Sequence, residues 1–231
     1  MIRLYVSENL SDKATVCLSE EQVHYLYHVM RRSVMDEVAV FNGRDGEWVA
    51  QICELTKKRG ALTVVKKIRE QECTKGAVLA VALIKKDNFD LILQKATELG
   101  VREIIPLMTA RTVVSKLNIE RARHIVKEAS EQCERLDVPE VTQPMTLKAF
   151  LTSRMTHTIV YLSERGQQSM KMPREADVCF VIGPEGGWTP EEIQIFEQSE
   201  RAIPLNLGRL ILRAETAAIG ILAAHRFDIF A

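Results

Sequence analysis

Aromatic side chains are scarce in this chain of 231 residues, and neither sign of charge dominates it. Phe, Trp and Tyr make up 6% of the residues, and 31 Lys plus Arg balance 31 Asp plus Glu. A zero net charge excludes a protein whose overall field draws it onto a polyanion, so any surface for nucleic acid must be a local patch. The few aromatics also limit how many bases can be stacked on side chains.

Cysteine occurs five times, and no two cysteines form a Cys-x-x-Cys pair. An odd number of scattered thiols without ligand spacing predicts free cysteines in a reducing compartment and no metal site. No apolar run reaches the roughly 20 residues of a transmembrane helix, and none near the N-terminus resembles a signal peptide. We therefore expect a cytoplasmic protein with no membrane partner and no metal.

The common nucleotide and hydrolase motifs are missing, because the chain has no Gly-x-Gly-x-x-Gly after a first α/β strand, no P-loop and no Gly-x-Ser-x-Gly. It has instead two glycine segments, Val181–Glu192 and Leu205–Ala217. Each follows a short apolar run and leads into a helix signal. Both therefore place glycine backbone where a strand ends and a helix begins, which is where open α/β sheets bind ligands.

The pattern of apolar residues changes near residue 72. Before it, short alternating stretches separated by turn residues predict a small β-barrel with one helix, Ser19–Met30. After it, strands alternate with helices, which predicts a mainly parallel sheet. The predicted fold class is α/β, with domains 1–72 and 73–231. The predicted strands are 2–6, 37–41, 47–53, 62–68, 77–84, 103–108, 158–163, 177–182 and 202–206, and the later helices are 87–99, 118–134, 190–199 and 214–227.

Both glycine segments resemble the knotted SPOUT class of RNA methyltransferases, and most closely the family that methylates the N3 position of a uridine in small-subunit ribosomal RNA. Two positions depart from the family pattern: Gly208-Arg209-Leu210 stands where a proline is usual, and Met35 stands where a glycine is usual. The other motifs that carry the resemblance are Gln94–Val101, Ile105-Pro106, Thr109–Thr112, Glu131–Arg135 with Val138-Pro139, His28–Arg31 and Val38–Gly43.

The resemblance implies a trefoil-knotted C-terminal domain, a PUA-like N-terminal barrel, S-adenosyl-L-methionine as cofactor, and a homodimer. Its partner would be small-subunit ribosomal RNA or the assembled small subunit. The implied cofactor residues are Leu162, Ile182, Gly183, Glu185, Gly186, Gly187, Leu207, Gly208, Leu210, Leu212, Ala214 and Thr216. The implied catalytic residues are Arg111, Gln132, Arg135 and Arg213, and the implied RNA-binding residues are Arg31, Arg32, Arg111 and Arg135.

Chemical reasoning supports those roles without fixing them. Loss of the uridine N–H proton is favoured by cations, and guanidinium groups also clamp phosphates. Glu131 and Arg135, however, are spaced as an ordinary helix pair, and Glu215 near a helix start would favour the dipole in any case. The alternatives left open are a methyltransferase acting on another RNA nucleotide, such as a transfer-RNA ribose, and a non-catalytic RNA-binding or ribosome-assembly factor. A phosphate-binding transferase is disfavoured because Glu185 would face the anion.

Overall fold

The computed structural model describes residues 1–154, 156–163 and 177–227, and it divides into two compact units. The first contains Met1–Cys73 and Ser130–Val138, and the second contains Thr74–Ala129 and Pro139–Ala231. The predicted boundary at 72/73 falls one residue from the boundary of the first unit. No sequence pattern indicated that a later segment, 130–138, also groups with the N-terminal residues.

The first unit contains a sheet of five strands in the order β1-β3-β4-β5-β2. The β1–β3 pair is parallel and the other pairs are antiparallel. The sheet ends at β1 and β2, so the predicted small β-barrel takes the form of a half-barrel. Strand β2 has only three residues, too few to show an alternating pattern. The strands are β1 Arg3–Tyr5, β2 Thr15–Cys17, β3 Glu37–Phe41, β4 Glu47–Leu55 and β5 Gly60–Arg69.

The helix predicted between β2 and β3 is two structures in succession. Helix α1, Glu20–His24, begins with the predicted Ser19 cap, and a π-helical turn, Tyr25–Val29, follows it. The predicted helix over Ser19–Met30 is therefore present, but its C-terminal half is π-helical and not α-helical. Met35 has a φ of 79°. It is the position where the resembled family usually has glycine, and a positive φ is the conformation that glycine adopts without steric cost.

The second unit contains a parallel sheet in the order β12-β10-β11-β6-β7-β8, with β9 also paired to β7. Every residue of β6 and β11 is buried, as expected for strands covered on both faces. This sheet and the half-barrel confirm the α/β class with a small N-terminal β domain. The strands are β6 Val78–Ala82, β7 Glu103–Met108, β8 Glu140–Val141, β9 Met145–Thr146, β10 Thr158–Leu162, β11 Val178–Ile182 and β12 Ala202–Leu205.

Among the described residues, five helices follow β6 along the chain. Helix α2 begins one residue earlier than predicted, with Lys85 as N-cap and Asp87 in its first turn. Helix α4 was not predicted, because the chain around it shows no long apolar period. The helices are α2 Lys86–Glu98, α3 Ile119–Gln132, α4 Leu147–Ser153, α5 Pro190–Glu197 and α6 Ala214–Arg226.

Candidate functional site

A cavity of about 770 Å³ opens at the carboxyl ends of β10, β11 and β12. These three strands are neighbours in the sheet and run parallel, so the loops that follow them meet at one edge. The volume lies in the range of small-molecule and cofactor sites, roughly 300–1,000 Å³. The cavity is lined by Arg111, Leu162, Ser163, Ile182, Gly183, Pro184, Glu185, Gly186, Gly187, Trp188, Pro190, Ile193, Leu205, Asn206, Leu207, Gly208, Arg209, Leu210, Ile211, Leu212, Ala214 and Ala217.

Two glycines give the cavity walls their backbone shape. Gly187 has a φ of 67° and Gly208 a φ of 125°, and a Cβ built on either would meet no atom within 4 Å. The requirement at these positions is therefore conformational, not steric crowding. The space in front of both residues is open, so a ligand can approach their main-chain groups closely.

Trp188 joins the first glycine loop to the end of β10. Its indole N–H donates to the Leu162 carbonyl at 2.8 Å. Its ring meets Phe196 edge-on, and Phe196 stacks on Tyr161 at 4.1 Å between ring centroids. A Cβ on Gly183 would lie 3.0 Å from the indole, so glycine is needed there for the ring to pack. Trp188 therefore packs within the protein, which favours a structural role over stacking on an RNA base.

Most of the predicted cofactor residues line the cavity. Thr216 does not, because only Ala214 and Ala217 of α6 face it and Thr216 lies on another side of the helix. Arg111 lines the cavity, whereas Arg213 is exposed at the N-cap of α6 and does not. The predicted cofactor residues that line it are Leu162, Ile182, Gly183, Glu185, Gly186, Gly187, Leu207, Gly208, Leu210, Leu212 and Ala214.

A buried arginine of β1 holds the C-terminal end of α3. Arg3 Nη1 donates to the carbonyls of Ser130 at 3.0 Å and Glu131 at 2.9 Å. Its Nε pairs with Glu47 at 2.5 Å, and both side chains are 6% exposed. The last carbonyls of a helix lack intrahelical partners, so a cation there satisfies them and opposes the negative end of the dipole. These contacts explain why the residues after α3 group with the N-terminal unit.

The same segment carries two predicted catalytic residues. Gln132, the last residue of α3, is exposed. The Arg135 side chain is only 8% exposed, and its Nε donates to Asp137 at 2.8 Å. The two residues therefore differ: Gln132 presents its amide to solvent, while the charge of Arg135 is already paired within the segment.

The two remaining arginines predicted to bind RNA follow the π-helical turn. Arg31 is exposed and has a φ of 51°, and Arg32 lies 3.8 Å from Asp36. A non-glycine residue with positive φ is uncommon and belongs mostly to turns. Because Arg31 is exposed, whereas Arg32 is partly buried and lies beside Asp36, Arg31 is the more accessible of the two cations.

Sequence reasoning missed some of the cavity lining. Asn206 lies between the apolar residues Leu205 and Leu207, and its Oδ1 accepts the Gly208 N–H at 2.8 Å. This Asx turn shapes the second loop, and an Asn followed two residues later by Gly is a signal that would have identified it. Ser163 and Ile193 also line the cavity, but they lie outside both glycine segments and no motif marks them.

Two absences hold for the described part of the chain. It contains no cluster of His, Cys, Asp and Glu that could hold a metal ion. None of its helices is long and apolar enough to cross a membrane.

Comparison with known families matches both parts of the chain to RNA-modifying domains. Residues 71–226 match an RNA methyltransferase domain, and residues 18–65 match an RNA methyltransferase PUA domain. The first match alone covers more than half of the chain. The half-barrel is therefore a PUA domain, and the parallel sheet with its cavity is a methyltransferase domain.

Individual relatives agree over nearly the full length. The chain is 34% identical over 231 residues to ribosomal RNA small subunit methyltransferase E of Rickettsia conorii, covering 97% of this chain and 94% of the relative. The solved structure of the Neisseria gonorrhoeae ribosomal RNA small subunit methyltransferase E, bound to S-adenosyl methionine, is 29% identical with a TM-score of 0.86, covering 98% of this chain and 97% of that one. A methyltransferase from Legionella pneumophila with bound SAM is also 29% identical, with a TM-score of 0.89 and the same coverage. The chain therefore belongs to the ribosomal RNA small subunit methyltransferase E family.

Proposed function

We propose that this chain transfers the methyl group of S-adenosyl-L-methionine to N3 of a uridine in small-subunit ribosomal RNA. The observation that carries the proposal is the cavity between two glycine loops at the carboxyl edge of the parallel sheet. A relative of the same family, similar over nearly the whole chain, binds S-adenosyl methionine.

The cavity fits this cofactor in both shape and chemistry. Apolar side chains such as Leu162 and Ile182 suit the adenine faces, and the open main chain at Gly187 and Gly208 suits its polar edge. Charges of both signs line the cavity, with Arg111 for a carboxylate and Glu185 for an ammonium or sulfonium group. When bound, S-adenosyl-L-methionine supplies an electrophilic methyl group on its sulfonium.

The residues of this chain would position the uridine and stabilise the negative charge that develops on its base. Uracil must lose its N3 proton, and cations favour the anionic base that results. We assign Arg213 and Arg111 to that role or to phosphate binding, because both are exposed at or beside the cavity. Gln132 would hydrogen-bond the uracil edge, and Arg135, paired with Asp137, would hold the turn behind it.

Residues distant from the reacting base would also bind the ribosomal RNA. Arg31 and Arg32 of the PUA domain are the proposed phosphate contacts, with Arg31 the stronger because its side chain is exposed. The naked RNA and the assembled small subunit are both candidate substrates. Either would place the protein in the cytoplasm.

We also propose a trefoil knot and a homodimer, as in the class that the sequence resembles. Support for pairing comes from Leu210 and Ile211, which are both 81% exposed beside the cavity. Adjacent exposed aliphatic side chains favour a protein contact over solvent. Light scattering at micromolar concentration should give twice the chain mass of 26.2 kDa, and the mass of one chain would contradict the dimer.

The reaction is tested by incubating the purified protein with radiolabelled S-adenosylmethionine and unmethylated small ribosomal subunits. Large subunits and transfer RNA serve as parallel substrates, and nucleoside analysis locates the label. We expect N3-methyluridine in small-subunit RNA only. Label in transfer RNA or in ribose would overturn the substrate, and no label in any RNA would favour the non-catalytic alternative.

Arg213→Ala tests the site assignment. We expect methylation to fall about 100-fold, the size of one transition-state electrostatic contact, with the melting temperature nearly unchanged. Arg123→Ala removes an exposed arginine of α3 from the same domain and should leave methylation unaltered. Unimpaired methylation by the Arg213 variant would remove this residue from the site.

A further inference from the structure

The carboxylate of Glu192 joins two separate loops at the cavity. Its Oε2 accepts the Thr189 N–H at 2.9 Å, closing the capping box of α5. Its Oε1 accepts the Ala110 N–H at 2.8 Å, across 82 residues of sequence. The residue is 7% exposed. A capping box requires only the first of these bonds, so the second is an additional tether.

The tethered loop is a tight turn after β7. The Thr109 N–H donates to the Thr112 hydroxyl at 3.1 Å, and the Thr112 N–H donates to the Thr109 carbonyl at 3.2 Å. The two hydroxyl oxygens lie 2.8 Å apart. Because the turn is closed internally and fixed to Glu192 at Ala110, the backbone of the next residue, Arg111, has a set position.

From that position the Arg111 side chain reaches the first glycine loop. Its Nη1 donates to the Gly186 carbonyl at 2.6 Å and to the Trp188 carbonyl at 3.4 Å. Its aliphatic stem lies so close that a Cβ on Gly186 would be 3.3 Å from it. None of the ion pairs found among the described residues involves Arg111, so its positive charge at the cavity wall is not neutralised by a carboxylate contact.

We infer that Glu192 is a positioning residue that fixes Arg111 to receive an anionic group at the cavity. This inference rests on the proposed function. The anion is either the carboxylate of S-adenosylmethionine or a phosphate of the RNA, since guanidinium binds both in the same planar geometry. Glu192 touches neither ligand and acts through the Ala110 N–H.

A matched pair of substitutions separates this role from simple helix capping. Glu192→Gln keeps the shape but turns one acceptor into a donor, so one of the two N–H bonds is lost. Glu191→Gln removes the same charge from the same turn of α5, but Glu191 is exposed. Hydrogen bonds at the helix start and the nearby Arg111 lower the pKa of Glu191, so this control also tests the general electrostatic effect.

The first readout is binding, measured with two probes by titration. S-adenosylmethionine tests the carboxylate, and small-subunit ribosomal RNA at several salt concentrations tests the phosphate. We expect Glu192→Gln to weaken one of the two by about tenfold and Glu191→Gln to weaken neither. A loss for RNA should come with a salt slope smaller by about one phosphate contact, that is by about 0.7–0.9.

The second readout is coupling to Arg111. If Glu192 acts through Arg111, the double variant Glu192→Gln/Arg111→Ala should bind no worse than Arg111→Ala alone. Hydrogen exchange should show faster exchange of the 109–112 turn in Glu192→Gln. Glu192→Asp, which keeps the charge and shortens the reach, should behave like the Gln variant and guards against a failure of that variant to fold.

Equal binding by the Glu192 and Glu191 variants for both probes would overturn the inference. Additive losses in the double variant would also overturn it, because they would show an effect that does not pass through Arg111. Absence of methyl transfer by the unaltered protein would contradict the proposed function. It would leave the positioning role to be decided by the binding data.

Discussion

Two helix ends in this molecule are held by buried charges of opposite sign. The C-terminal end of α3 is held by the cation of Arg3, which donates hydrogen bonds to main-chain carbonyls. The N-terminal end of α5 is held by the anion of Glu192, which receives main-chain N–H groups. In each case the side-chain charge is opposite in sign to the helix dipole at that end, and the side chain hydrogen-bonds main-chain groups that lack intrahelical partners.

Both charges hold, through backbone groups, segments that carry proposed site residues. Arg3 holds the turn that presents Gln132, and Glu192 holds the turn that presents Arg111. The two charges have different kinds of partner. Arg3 is paired with the buried carboxylate of Glu47, whereas Glu192 accepts hydrogen bonds from two neutral N–H groups. Loss of the Arg3 charge should therefore be far more costly to folding than loss of the Glu192 charge.

The largest expected effect is that of Arg3→Ala. It leaves Glu47 buried with the longer 3.4 Å contact to Arg69, and it removes the Arg3 hydrogen bonds to the carbonyls of Ser130 and Glu131. Removing one partner of a buried ion pair typically costs about 3–5 kcal/mol. Urea unfolding should show a loss of this size, while Lys57→Ala, at an exposed turn, should change stability by less than about 0.5 kcal/mol. A loss below about 1 kcal/mol for Arg3→Ala would contradict the account.

The second glycine loop shapes the cavity through its backbone conformation and not through a charge. Gly208→Ala should destabilise the protein by about 1–2 kcal/mol and weaken S-adenosylmethionine binding, because alanine is strained at a φ of 125°. Gly220→Ala, inside α6 and without an atom within 4 Å of the new Cβ, should stabilise it by about 0.5–1 kcal/mol. Thermal unfolding and cofactor titration check both. A stable Gly208 variant with unchanged binding would refute the backbone argument.

The hydroxyl caps of the two capping boxes sharpen the comparison further. Thr189→Ala should cost about 1 kcal/mol by loss of the bond to the Glu192 N–H. Ser19→Ala removes the matching bond in α1, at the exposed start of a helix of only five residues. We expect the Thr189 variant to lose more free energy of unfolding than the Ser19 variant, since α5 packs a buried Phe196. Equal losses would mean that packing of the helix does not matter.

The smallest effect concerns His157, next to the second unit's Arg102. Burial, followed by the charges of Arg154 and Arg102, lowers the pKa of His157 below its usual value. The unfolded chain therefore binds the proton more readily, so stability is present above the unfolded pKa of about 6.5 and is lost as pH falls through the folded pKa. His157→Gln should flatten this slope in unfolding measured from pH 7 downward. An unchanged slope would assign it to other groups.

Sequence reasoning reached the α/β class and the two glycine loops because each depends on local residue types. It missed strand β2, because a strand of three residues has no measurable period. It also missed the hydrogen bond from the Ala110 N–H to Glu192 and the contacts of Arg3 with the end of α3. The partners of each residue lie far away in sequence. The pairing of Arg135 with Asp137 was not predicted, because helical spacing indicated Glu131, four residues earlier, as the partner of Arg135.

The central claim, that the loops around Gly183–Gly187 and Leu205–Leu212 form the cofactor pocket, is tested most directly by hydrogen exchange with and without S-adenosylmethionine. The account predicts slower exchange in peptides covering these two loops and little change in the half-barrel strands. Unchanged exchange in both loops, despite saturating cofactor, would contradict it.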